Sequence, residues 1–167
     1  MQRTRPWLTG FVALSLLVSL TMFGCGSDDD ENANPLIDET LLRVWTLASI
    51  EMEDGSVLEP DTTYTVTFTQ ERVAPEDREF VEGALSLNVH DGCNNCGGGY
   101  ELSETGSLSI SIGFCTLIAC IPPPSLETLF VEALSDASSY EVQGDSLRIV
   151  STDGDSGERS ILNFSAN

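Results

Sequence analysis

The sequence predicts an α+β domain, mostly antiparallel β: a strongly curved sheet or partial barrel packed on one amphipathic helix. Three observations carry this. Six to eight short segments rich in β-formers or alternating apolar with polar residues lie between turn-forming stretches, as half-buried strands do. One stretch past Cys120 changes to a helical period. Four of the five cysteines crowd between Gly92 and Cys120, the kind of clustering that staples a small exported domain. A lone sheet can bury one face only by curling or by being covered, and this chain offers a single helix as the cover.

The first 40 residues stand apart from that domain. Arg3 and Arg5 precede an apolar run from Leu8 to Phe23, and Gly24-Cys25 follows at once, so residues 1–24 read as an export signal. A small residue directly before a cysteine resembles the lipobox of bacterial lipoproteins, which implies acylation of Cys25. Met22 makes a poor site for ordinary signal cleavage, which favours the same reading. Two or three acyl chains hold a protein firmly on a bilayer, at about 0.8 kcal/mol per buried methylene. Residues 25–40 then form an acidic tether whose Gly26–Pro35 stretch has no apolar residue larger than alanine. Gly26 after the cysteine resembles the pattern sorted to the outer membrane, so the expected location is the bacterial cell envelope, lipid-anchored, facing the periplasm or the cell surface.

Residues 41–167 make the folded domain. Val44–Ile50 is rich in β-formers and ends at the turn Asp54-Gly55. Tyr64–Thr69 alternates large apolar residues with threonine. Arg72–Glu82 is charged and carries Pro75, so a loop is predicted there. Leu85, Leu87 and Val89 alternate with Ser86, Asn88 and His90, and this strand runs into the cysteines. Gly97-Gly98-Gly99 reads as a tight turn, because glycine adopts positive φ freely. Tyr100–Leu102 is a short strand, and Leu108, Ile110 and Ile112 mark another. Pro122–Pro124 stops any ladder. Ser125 is then the expected N-cap of a helix whose apolar stripe runs through Leu126, Leu129, Phe130, Ala133, Leu134 and Ala137. Tyr140–Gln143 and Leu147–Val150 flank Gly144-Asp145 as a hairpin, and Ser160–Phe164 is the last strand.

Charge narrows the partners. The chain carries 27 acidic against 7 basic residues, net -20, with no lysine. Removing Arg3 and Arg5 with the leader leaves five basic residues and a formal charge of -22. Such a surface repels nucleic acid and anionic headgroups. The acidic residues are spread rather than clustered, which suits a solvated surface of a monomer better than a cation trap.

Certain residues follow one another in a telling order: Trp45-x-Leu47, Phe68, Gly92-Cys93-Asn94 with Gly98 and Tyr100, then Thr116 and Ala119-Cys120. Glu127, Phe130 and Leu134 follow on the helix, then Tyr140, Gly144-Asp145 and Leu147. This order resembles the META domain family, HslJ-like. The resemblance covers about residues 41–166 and implies one compact β-rich domain with a single helix, common in exported or lipid-anchored proteins. It implies no catalytic residue. The pair Cys96 and Cys115 is a departure from the family's pattern.

The chemistry candidates are few. Cys93-x-x-Cys96 with Cys115 and Cys120 could ligate zinc, or Cys93 and Cys96 could serve as a redox pair; export to an oxidising compartment favours two disulfides instead. Three pairings are possible, and the nested one, Cys93 with Cys120 and Cys96 with Cys115, fits two antiparallel segments. The glycine run lacks the lysine and helix of a phosphate loop. His90 is the only histidine, which excludes a two-histidine metal site, and nothing resembles a nucleophile elbow around it. Asp153–Glu158 echoes part of a calcium loop but lacks its ligand spacing, so an acidic hairpin turn is expected. No cofactor follows from these residues. The functional expectation is a non-enzymatic envelope module binding an unknown envelope protein or small ligand. The competing readings are an envelope hydrolase, a thiol-redox enzyme, or a carrier of a small apolar ligand.

Overall fold

A computed structural model describes residues 35–166; the expected leader, the expected acylation site Cys25 and most of the expected tether lie outside the described residues. The strands are β1 (Val44–Met52), β2 (Val57–Leu58), β3 (Thr65–Arg72), β4 (Leu85–His90), β5 (Asn95–Leu102) and β6 (Leu108–Cys115). The helix α1 (Glu127–Ser135) follows, then β7 (Ala137–Gln143), β8 (Ser146–Thr152) and β9 (Arg159–Ala166). All pairings are antiparallel, in the order β6-β5-β4-β3-β1-β9-β8-β7, with β2 appended to β1. The two outermost strands approach at an isolated bridge between Ser107 and Ser139, so the sheet is bent into a half-barrel. The α+β class and the curved sheet are as the periodicities predict.

The helix lies against β6 and β8 and buries Phe130, Ala133 and Leu134. Phe130 meets Tyr64 edge-on at 5.3 Å and tilts against Phe164 at 6.2 Å. Trp45, Phe68 and Tyr100 fill the hollow of the sheet, and the Trp45 indole N–H donates to the Leu41 carbonyl at 3.0 Å. Each such side chain contributes about 1.5–3 kcal/mol by leaving water. β1 changes phase part-way along. Trp45 and Leu47 face the core, a bulge intervenes before Ser49, and Ile50 faces the core again. Among the described residues no helix is long and apolar enough to cross a membrane.

Two sequence expectations need correction. Ser125 does not cap the helix; Leu126 holds that position without a side-chain cap, and Ala137 begins β7 rather than ending the helix. The donors at this end are satisfied across the fold: Ser125 N–H by Asp61 Oδ2 at 3.0 Å, Leu126 N–H by the Tyr64 hydroxyl at 3.0 Å. The glycine run is not a turn. Gly97, Gly98 and Gly99 lie inside β5, paired with Asn88, Leu87 and Ser86 of β4. The loop expected after β3 is present, and its Val73 and Val81 pack on the outer face of the sheet, over the bare backbone of Gly99 and Gly113.

All three tyrosines have phenols raised to about 12, first by burial, and for Tyr64 and Tyr140 also through hydrogen bonds to Asp61 and Asp38. A group whose folded pKa exceeds its unfolded value of 10.0 lends stability below pH 10 that disappears as pH climbs through 12. Denaturant midpoints should therefore stay level to about pH 9.5 and fall steeply between about pH 10 and 12, in step with phenolate absorbance. A midpoint unchanged at pH 11.5 would contradict these shifts.

Candidate functional site: the stapled loop

The site is built from the β4–β5 turn and the segment that leaves β6. Cys96 and Cys115 are direct cross-strand partners, with Cα atoms 4.0 Å apart, so register alone brings the sulfurs together. Cys93 and Cys120 join one step further out, at a Cα separation of 6.2 Å. The structure thus holds the nested pairing, Cys93 with Cys120 and Cys96 with Cys115. Among the described residues no three His, Cys, Asp or Glu side chains gather as a metal site.

A polar lattice fixes the loop to the body. Asp91 is buried, and its Oδ1 accepts from Cys93 N–H at 3.0 Å and Asn94 N–H at 2.6 Å, closing the turn. Gly92 sits in that turn at φ +91°, and a Cβ there would collide with Thr62. Asn94, also buried, reaches in two directions. Its Oδ1 accepts from Ile118 N–H at 2.8 Å and from the Thr116 hydroxyl at 3.2 Å, and its Nδ2 donates to Glu127 Oε1 at 3.2 Å on the helix. Asn95 and Thr116 exchange two further bonds, N–H to Oγ1 at 3.0 Å and N–H to carbonyl at 2.9 Å. On the other side, Ser125 N–H holds the Asp61 carboxyl below the usual carboxylate range. Sequence reasoning missed this lattice. Its one local signal is Asp91-Gly92 ahead of Asn94, an Asx-turn pattern; the partners lie 22 to 33 residues away.

What the lattice presents is apolar. Leu117 is 98 % exposed, Ile118 58 % and Ile121 94 %. The other candidates lie elsewhere. His90 is half-buried on β4, opposite Asn95 of β5. The Asp153–Glu158 segment is the β8–β9 turn, where Asp153 accepts from its own neighbours Asp155 and Ser156, as a hairpin turn requires. Cys25, the expected lipidation site, lies outside the described residues.

A family model, META domain, matches residues 39–161. The chain belongs to the META domain family. Two solved structures share the fold of this META domain. One is the NMR structure of a protein from Burkholderia xenovorans, 22 % identical, TM-score 0.54, covering 75 % of this chain and 82 % of that one. The other is the crystal structure of a duf4847 family protein from Bacteroides vulgatus ATCC 8482, 14 % identical, TM-score 0.50, covering 77 % and 95 %. Among curated proteins none matches the sequence significantly. At these identities the likeness speaks to the fold of the META domain alone.

Proposed function

We propose that this META-domain protein is a non-enzymatic, lipid-anchored module of the bacterial cell envelope, acylated at Cys25, that works by binding through its stapled loop. The observation that carries the reading is the loop's exposed aliphatics, Leu117, Ile118 and Ile121, held in place by two disulfides and the Asn94 lattice. Scattered exposed leucines need no explanation, but several on one braced loop mark a contact surface. At the loop itself four sulfurs are paired, and Asp91, Asn94 and Tyr64 bond to loop and helix. That favours a binding role over a hydrolase or thiol-redox enzyme. The aromatic filling of the half-barrel by Trp45, Tyr64, Phe68, Tyr100 and Phe130 likewise speaks against a carrier of a small apolar ligand.

Expression in a bacterial host with labelled palmitate tests the anchor. The wild-type chain should take up label and sediment with the envelope, and Cys25→Ser should do neither. A photo-reactive residue at position 117 should form adducts in intact envelopes that one at the exposed Val57 does not. An unlabelled wild-type chain in the cytosol, or identical adducts from both positions, would overturn the reading.

A further inference from the structure

A second site lies on the outer face of the sheet: we propose that the groove over Gly97 takes one uncharged pyranose ring of a glycan, stacked on Phe114 and hydrogen-bonded by Asn88 and Ser86. It goes beyond the loop reading above, because Leu117, Ile118 and Ile121 do not line it.

The groove exists because β6 changes phase. Leu108, Ile110 and Ile112 all pack on the core, and simple alternation would turn Phe114 inward after them. A bulge intervenes. Ile112 pairs with Gly98 but Phe114 pairs with Gly97, which leaves Gly113 over. Bulges re-aim side chains in this way beside binding sites. Phe114 therefore emerges on the outer face, 54 % exposed, with the end of its ring over Gly97. The same row continues to β4, where Asn88 pairs with Gly97 and is exposed. An aromatic ring, bare main chain and a carboxamide thus stand side by side.

A glycine inside a strand costs about 0.5–1 kcal/mol and marks a place where a ligand or another backbone comes close. Over Gly99 the visitor is the covering loop, through Val81 and the Glu82 carbonyl. Over Gly97 only the end of the Phe114 ring comes near. The far wall of the groove is that same loop, with Val73, Ala74 and Asp77. It is fixed in place: Val73 N–H donates to the Ala84 carbonyl at 3.2 Å, Val81 N–H to the Asp77 carbonyl at 3.0 Å, and Glu82 N–H to Ser111 Oγ at 3.1 Å. The volume is about 270 Å³. That is below the range of about 300–1,000 Å³ for drug-sized ligands and suits a single ring.

Other occupants fit worse. β4 and β5 are interior strands with neighbours on both sides, so the floor offers no free ladder to an added peptide strand. An anion would meet Glu71 and Asp77 against Arg72 alone, on a body of net charge -20. Among the described residues no three ligating side chains gather for a metal ion. A wholly apolar molecule would strip water from Asn88 and Ser86, at about 1–3 kcal/mol for each group left unpaired. A pyranose meets both requirements. Its C–H face lies on the negative face of the phenyl ring, and its hydroxyls donate to Asn88 Oδ1 and accept from Asn88 Nδ2 and the Ser86 hydroxyl.

The test uses the chain from residue 26 onwards with both disulfides formed, which keeps every strand and core residue among those described. Methyl glycosides of glucose, galactose, mannose and N-acetylglucosamine are titrated into isotope-labelled protein and followed by NMR. At least one should bind at about 1–10 mM, as a single small ring on an open groove does. It should shift the amides of Asn88, Gly97 and Phe114 and receive saturation from the Phe114 ring at its C–H protons. Phe114→Ala and Asn88→Ala should each weaken binding about tenfold. The melting temperature should hold, because both side chains are exposed. Phe114→Trp should keep the affinity, and Phe80→Ala, an exposed ring that does not line the groove, should change nothing. Three results would overturn the proposal. One is the absence of shifts at these amides with every glycoside at about 50 mM. The second is shifts that survive Phe114→Ala. The third is a larger response of the same amides to tetramethylammonium chloride or sodium sulfate than to any glycoside, which would assign the groove to an ion.

Discussion

Loss of both disulfides is expected to destabilise the domain by about 6 kcal/mol and to lower its melting temperature by about 20 °C. The separations are 19 residues for Cys96–Cys115 and 27 for Cys93–Cys120. In the chain-entropy account these correspond to about 3 and about 3.5 kcal/mol if each closed its loop alone. Nesting makes them less than additive. Once Cys96 and Cys115 are joined, the outer bridge closes a ring of only about ten residues and adds about 2.5 kcal/mol. Domains of this size have only about 5–15 kcal/mol in hand, so the reduced protein should sit near the edge of folding. Guanidinium unfolding of wild type, Cys93→Ala/Cys120→Ala, Cys96→Ala/Cys115→Ala and the quadruple variant checks this, with alanine chosen because Cys96 is buried and a hydroxyl there would lack a partner. Reduction of the wild type should reproduce the quadruple variant, and a chelator should change nothing. A reduced protein melting within about 2 °C of the oxidised one would mean that the Asn94 lattice alone holds the loop.

That lattice also shows where the sequence stops being informative. Strand alternation at Thr65–Phe68, Leu85–Val89 and Leu108–Ile112 is a local property, one side chain in and the next out, and it translates directly into β3, β4 and β6. The helical stripe is local too, although its start is not. Tyr64 supplies an acceptor 62 residues before Leu126, and Asp61 supplies another for Ser125. No window around Ser125 contains that fact, so a serine before an apolar run reads as a cap. The two-residue β2 is shorter than any period can reveal. Val73 and Val81 look like strays in a charged loop because what they cover, Gly99 and Gly113, is bare backbone. Among three possible cysteine pairings, antiparallel register singles out the nested one, and the structure has Cys96 directly across from Cys115.

Alanine at Gly98 is expected to cost about 3 kcal/mol, at Gly97 no more than about 0.5 kcal/mol, and this contrast tests the misread glycine run. A turn needs its glycines for positive φ, whereas none of these three has it; their requirement is space. On Gly98 a Cβ would strike the Ser111 carbonyl oxygen and come within 3.3 Å of the Ile112 Cα, both main chain of β6. Neither can rotate away, so β5 and β6 would have to part between the Cys96–Cys115 bridge and the Tyr100–Ile110 pair. On Gly97 the same Cβ meets only the end of the Phe114 ring, an exposed side chain free to swing outward. The clash there is relieved cheaply, and replacing glycine in a strand recovers about 0.5–1 kcal/mol of chain entropy. Gly99 should fall between them, at about 1–2 kcal/mol, because its Cβ meets the Glu82 carbonyl and Val81, which belong to the covering loop rather than the sheet. Its signature should be local: faster amide exchange from residue 73 to residue 84 with the β4–β6 ladder still protected. Equal losses at all three positions would mean that the run serves backbone torsion after all, and the bare-strand explanation for Val73 and Val81 would fall with it.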